Sequence, residues 1–203
     1  MIFPNSGPLQ PLTIHLETAR YIHRTIDSGD ATEDWANWLT EPSTVKALNA
    51  APLKLDIAMI RSYIATFDRK KSHLLGIFDK EDGQLIGIRS IYIDWHHREF
   101  MVNILIGHPG QRSQGAMRET RDALYHVLFE DWGLEVVRAT VLATNTFVNT
   151  YMQAEGWMIM HRSFKRAASS NEMIEVLEYQ MTRDQHRRYE RKRGLVYPQA
   201  KAS

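Results

Sequence analysis

The stretch Asn103-Ile-Leu-Ile-Gly-His-Pro-Gly-Gln-Arg-Ser-Gln-Gly-Ala-Met-Arg-Glu-Thr120 constrains this chain more than any other. An apolar strand runs into a Pro/Gly loop, which passes directly into an amphipathic helix. From Met117 the apolar residues recur as Met117, Leu124, Val127, Leu128 and Trp132. Arg118, Glu119, Arg121, Asp122 and Glu130 take the other faces, which is the period of a helix buried on one side. Backbone N–H groups at such a helix start lack intrahelical partners and carry the positive end of the helix dipole, so an anion fits there. The alternative is an ordinary connection in which Gly110 and Gly115 serve only as turn residues.

The loop resembles the acyl-CoA pyrophosphate loop of the GNAT superfamily of N-acetyltransferases, whose pattern reads Arg/Gln-x-x-Gly-x-Gly/Ala. Arg112 and Gly115 match its first Arg and first Gly. Glu119 matches a Glu common in the branch containing ribosomal-protein N-terminal and amino-sugar acetyltransferases, whereas Met117 stands where a small residue is usual. A second match follows a strand-like run. Asn145-Thr-Phe-Val-Asn-Thr-Tyr-Met-Gln-Ala-Glu-Gly-Trp157 is similar to the family's Asn-x-x-(Ser/Ala)…Gly-Phe segment, with Asn145 and Gly156 kept, Trp157 for Phe and Val148 for the small residue. Two motifs in the right order and at the right distance are fairly specific.

Length and composition agree. A chain of 203 residues, 43% hydrophobic and 24% charged, suits one globular domain. A net charge of +1 gives no reason to expect nucleic acid as a general partner. With no cysteine, disulfides, thiolate catalysis and Cys-ligated metal sites are excluded. The N-terminus lacks a basic segment followed by an apolar one, and nowhere do eighteen apolar residues run together, so the expectation is a cytoplasmic protein without a membrane partner. Prolines near the start suggest a loose lead over residues 1–11, ahead of a domain over 12–183 and a basic helix and tail over 184–203.

The coarse pattern predicts a strand at 12–17, helices at 31–39 and 53–67, and β-rich runs at 72–78, 84–93 and 100–106, with an Asp-Gly turn signal at Gly83. After the loop and its helix come strand 136–143, helix 146–154 and strands 157–164 and 173–181. That order predicts an α+β fold with a mixed, mostly antiparallel central sheet flanked by helices on both faces, which is also the GNAT order.

The resemblance implies that acetyl-CoA lies across the end of strand 100–106. Its pantetheine would meet Leu105, Ile106 and Gly107, its pyrophosphate the loop of Gln111, Arg112, Ser113, Gln114, Gly115 and Ala116, and Asn145 would touch the pantetheine arm. The side chains of Gln111 and Ser113 should be replaceable. The family's proton-donating Tyr falls at Met152, and Tyr151 is one residue, or about 100° of helix rotation, away; Tyr151 remains the candidate acid. For the base, Asp94, His96, His97 and Glu99 cluster where the family recruits one, with Glu99 first; a solvated hairpin is the alternative. His96 and His97, if on a strand, face opposite ways, which argues against a shared metal. His108 stands at the loop entrance. Trp35, Asn37, Trp38, Glu41 and Tyr63 are candidates for an acceptor wall, although Trp35 and Trp38 at helical spacing also suit a core. The expected reaction moves acetyl to a primary amine of a small molecule, amino sugar or protein N-terminus by direct attack. A silent acyl-CoA sensor and an RNA-associated protein using the basic tail are the competing readings, and a homodimer is open.

Overall fold

A computed structural model describes residues 3–4, 6–51, 53–112, 114–168 and 170–195, the side chains at 46 and 47 excepted. Asp-Gly and Asp-centred turns build the middle of the sheet. Strand β3 (Ser72–Asp79) passes to β4 (Leu85–Asp94) through Gly83 at φ +74°, a conformation glycine adopts without strain. Strand β4 turns tightly into β5 (Glu99–Ile106), the Asp94 carboxylate accepting from the His97 amide at 3.1 Å and facing its ring at 2.8 Å. His96 and His97 therefore lie in a turn, not on a strand, with their rings edge-on at 4.8 Å.

Ahead of this meander stand β1 (His15–Glu17) and β2 (Tyr21–Thr25). The first is shorter than expected. The second goes unread in the sequence because its inward positions are Tyr21 and His23, and a buried imidazole disguises the apolar alternation. Helix α1 (Glu33–Asn37), α2 (Pro42–Leu48) and α3 (Ile57–Ala65) follow. The expected helix at 53–67 starts at Ile57 because Asp56 caps it, accepting from the Met59 amide at 2.7 Å.

Helix α4 (Ala116–His126) continues into a wider π turn over Val127–Asp131. Strand β6 (Val136–Leu142), α5 (Thr146–Ala154), β7 (Met158–Arg166), β8 (Met173–Thr182) and α6 (Arg183–Arg193) complete the chain. Among the described residues eight strands lie in the order β1-β2-β3-β4-β5-β6-β8-β7, with β5–β6 their single parallel pair. Pairing there covers only Glu99–Met101 against Val136–Arg138, after which the two strands part. On one face Leu75, Ile91, Phe100 and Val137 pack against Leu124, Leu128 and Phe129 of α4 and its extension; on the other, Leu74, Phe78 and Leu85 meet Trp35, Trp38, Ile60 and Ile64.

Described residues of both end segments make contacts with the rest of the fold. Phe3 sits edge-on to Trp95 and Trp132 at 5.2 and 5.7 Å, and a Cβ at Gly7 would strike the Trp95 ring, so the lead is not loose where it is described. Helix α6 is not a solvated basic rod. His186 and Glu190 are buried, Arg187 pairs with Glu130 at 2.6 Å and Arg193 with Asp122 at 2.9 Å. Residues 196–203 lie outside the described residues. Among the described residues, no helix is long and apolar enough to cross a membrane.

Candidate active site

Where β5 and β6 part, a slot of about 380 Å³ opens, lined by Val102, Asn103 and Ile104 of β5, Ala139–Leu142 of β6, Met117 and Arg121 of α4, and Asn145, Val148 and Tyr151 of α5. Antiparallel pairing with β4 uses one edge of β5, and from Val102 onward the other edge has no strand partner. That edge can pair with the amides of a flat, extended ligand.

The loop before α4 differs from its expected use. Pro109–Gln111 forms a 3-10 turn, and the amides of Gln111, Arg112 and Gln114 donate to the carbonyls of His108, Pro109 and Gln111. They are consumed inside the loop. Arg118 and Glu119 donate to the Gly115 carbonyl, so the open donors are the amides at the very start of α4, around Gly115 and Ala116. Gly115 reaches this position at φ +83°. Ser113 lies outside the described residues.

Arg112 does not extend toward an anion. Its guanidinium donates to the Ile106 and Gly107 carbonyls (both 3.2 Å) and to Ser43 and Thr44, and pairs with Glu41 at 3.0 Å. It straps the loop to the start of α2. Hydrogen bonds from Ser43 and Thr44, with Arg112 behind them, hold the Glu41 carboxyl down at about 2. The cation beside Gly115 is Arg20, whose Nη2 lies 3.4 Å from where a Gly115 Cβ would stand. Arg20 is held in turn by Glu119 at 2.8 Å. Gln111 is also committed, its amide group donating to Asp79 at 3.0 Å and accepting from the Tyr21 hydroxyl at 3.3 Å, so its side chain is not freely replaceable.

Gly107 is a packing glycine: a Cβ would enter the Trp38 ring, and its amide donates to the Ile86 carbonyl at 3.0 Å. Its amide, like those of Gln111, Arg112 and Gln114, donates within the protein in this structure. Ile106 is half-buried, and Leu105 faces the opposite side of the sheet from the slot. Asn145 lines the slot while its carbonyl oxygen caps α5, accepting from Val148 at 3.3 Å.

Two donors enclosed away from solvent belong to residues that line the slot. One is Nη1 of Arg89, a residue 2% exposed, whose Nη2 donates to the Met117 carbonyl at 3.1 Å and to Thr120 at 3.3 Å. Burial lowers the Arg89 guanidinium to about 10, which leaves it charged at neutral pH. The other is the Tyr151 hydroxyl. Arg118 and Arg121 lie over its ring at 4.9 and 5.3 Å, and burial pushes the phenol well up, so it keeps its proton. Met152 and Tyr151 both line the slot, Met152 mostly buried in the core and the Tyr151 hydroxyl enclosed beside Arg118 and Glu155. Behind it, Arg121 is saturated by Asp122, Glu155 and the Tyr189 hydroxyl, the last at 3.0 Å. Helix α6 thereby braces this wall.

Glu99 lies elsewhere. It opens β5 where the strands are still paired, holds Arg138 in two hydrogen bonds of 2.6 and 2.8 Å, and lines neither the slot nor the cavity behind it. Four residues separate it from Asn103, roughly 13 Å along a strand. The Arg138 hydrogen bond holds its carboxyl below the ordinary value. Asp94, His96 and His97 sit at the same far end.

On the opposite face of β5 a second cavity, about 330 Å³, shares Asn103, Ile104 and Leu48 with the slot. Trp35 and Tyr63 line it as expected; Trp38 packs on Gly107, and Asn37 and Glu41 stand outside it. The Asn49 side chain accepts from the Ala168 amide at 3.1 Å, joining the α2 end to the β7–β8 loop beside the opening. Arg89, α2 and the second cavity carry little signal in the sequence; Arg89 in Gly87-Ile-Arg-Ser-Ile91 reads as the polar phase of a strand.

A mixed sheet that opens between two parallel strands, with free helix-start amides at one end and a second cavity behind it, defines a transferase that takes an extended acyl thioester. The family model described as acetyltransferase (GNAT) domain matches residues 20–158, and the chain belongs to that family. It is an acetyl-CoA-dependent N-acetyltransferase. Solved structures of similar fold include a GNAT-family acetyltransferase from Bacillus anthracis (15% identity, covering 84% of this chain and 99% of that one, TM-score 0.68). A second is the spermidine N-acetyltransferase from Vibrio cholerae in complex with CoA and spermine (14%, 82% and 97%, 0.71). A third is FdhC, a nucleotide-linked sugar GNAT (16%, 89% and 97%, 0.68). No curated protein sequence matches the chain.

Proposed function

We propose that acetyl-CoA lies in the slot between β5 and β6, with its pyrophosphate at the start of α4, and that an amine held behind β5 attacks the thioester directly. The observation that carries this reading is the parting of β5 from β6, which leaves the β5 edge from Val102 onward without a strand partner along a slot of about 380 Å³. The unpaired amides and carbonyls of that strand edge suit the amide groups of an extended pantetheine arm. The amine nitrogen bonds to the carbonyl carbon, and the C–S bond breaks. Tyr151 gives its proton to the leaving thiolate, and the proton shed by the new amide returns through solvent to the phenolate. No acyl-enzyme forms.

Titration calorimetry with acetyl-CoA, and separately with CoA, tests the reading. Micromolar binding that weakens about tenfold or more in Arg89→Met, without loss of fold, supports it; heat-silent titration of the native protein overturns it. For assembly, the reading is a homodimer through edge strand β7, which leaves Met160 and Phe164 exposed at 53% and 64%. Sedimentation at micromolar concentration tests this, and a monomer there counts against it. The basic charges Arg187 and Arg193 of α6 are spent on Glu130 and Asp122, which favours the enzyme over an RNA-binding reading.

A further inference from the structure

The acceptor class is written in the second cavity, an inference that rests on the acetyltransfer reading above. The wall consists of Trp35, Leu39, Ile60 and Tyr63 from the helical layer and Ile88 and Leu105 from the sheet. Its polar atoms are few. Ser90 and Asn103 hydrogen-bond each other at 3.3 Å, and Tyr63 is a phenol that burial pushes up to about 12. No described residue lining the cavity carries a charge, and none is a carboxylate or an imidazole.

Two consequences follow from elementary energetics. A polyamine, or an acceptor bearing phosphate, would leave water for a wall with no counter-charge, a loss not repaid by pairing. An uncharged body gains about 25 cal/mol for each Å² of apolar surface it buries. The second consequence concerns the nucleophile. With no carboxylate to hold an ammonium and no base beside it, the amine must arrive already neutral. The cavity, about 330 Å³ and open to solvent past Leu48, Leu53, Met59 and Tyr63, admits one aromatic ring on a short amine arm.

We propose that the acceptor is a primary amine on an uncharged apolar body of that size, an arylalkylamine in chemical class, taken behind β5 as the free base. Its ring lies between Trp35 and Tyr63, and its nitrogen faces the slot past Asn103.

The test measures initial rates of CoA thiol release from saturating acetyl-CoA with phenethylamine, tryptamine, spermidine and glucosamine at pH 8.5. Alongside it, phenethylamine is titrated calorimetrically into the protein holding CoA. The expected result is a kcat/KM for the two aryl amines about 100-fold above that for spermidine and glucosamine, with a measurable heat of phenethylamine binding. Met59, on the rim of the cavity and 43% exposed, allows a carboxylate to be added without touching the core. Met59→Glu should raise the aryl-amine KM about tenfold and improve spermidine, with the acetyl-CoA titration unchanged. Spermidine or glucosamine turned over better than the aryl amines by the native protein overturns the acceptor class and leaves acetyltransfer standing. Tight acetyl-CoA binding with no aryl amine bound or acetylated overturns it equally, and absence of acetyl-CoA binding removes both readings.

Discussion

Tyr151 and Glu99 separate what a residue is from where it points. Both were legible as titratable groups near family motifs, yet one faces the slot and the other an arginine at the far end of β5. Tyr151→Phe removes the proton donor while keeping the ring beneath Arg118 and Arg121. We expect kcat to fall about 10²-fold with the acetyl-CoA KM within a factor of about two; steady-state rates that match the native enzyme would remove the phenol from the mechanism. Because burial raises this phenol, its loss should not add or delete a pH limb near neutrality. Glu99→Gln should leave kcat and its pH profile intact, and a flattened acid limb would restore Glu99 as base. The loop was readable because its strand, Gly-containing turn and helix are contiguous in the chain. Arg89 was not: its burial comes from α4 crossing over β4, and nothing local in the sequence announces that crossing.

At the scale of elements, the loop and α2 act as one piece. Arg112 ties the Ile106 and Gly107 carbonyls to Ser43, Thr44 and Glu41, so a residue matched to a phosphate-binding motif here straps the loop to α2. Arg112→Ala should destabilise the fold by about 1–2 kcal/mol and raise the amine KM several-fold. Its acetyl-CoA KM should move by less than about twofold. A larger rise in the acetyl-CoA KM would instead assign Arg112 to the pyrophosphate. Helix α2 escaped the sequence reading because its Pro42-Ser-Thr-Val-Lys-Ala-Leu48 run is only two turns long, too short for periodicity to declare a face. Gly115→Val tests the other end of the loop. The φ of +83° strains any branched residue and displaces the helix-start amides, so acetyl-CoA binding should weaken by about tenfold or more with the amine KM little changed.

For the whole molecule, the elements in the middle and C-terminal half were legible because their periods match their burial, whereas β2 hid behind His23, and that same histidine belongs to a global property. His23, His73 and His186 are buried in three separate places: on β2 near α4, on β3 against Trp132, and on α6 against Phe129 at 5.1 Å. Burial lowers His73 and His186 to about 4 and His23 well below its usual value, and for His186 it outweighs Glu190 at 3.6 Å. Each is neutral in the fold and takes up a proton near pH 6.5 once unfolded. The stability they allow is therefore complete above pH 6.5 and is lost as the pH falls toward their folded values, by about 3 kcal/mol at pH 4 for each of His73 and His186. His126 works in the opposite sense, raised by Glu190, but it is partly solvated and offsets little. Against a total stability of about 5–15 kcal/mol, losses of this size make an unfolding transition on the acid side, near pH 5, the expected outcome. Far-ultraviolet circular dichroism and tryptophan emission recorded together from pH 8 to pH 3 should show one transition there. His73→Phe, which keeps a ring against Trp132, should move it to lower pH, and a native protein that stays folded to pH 3.5 would show that these imidazoles do not set the limit.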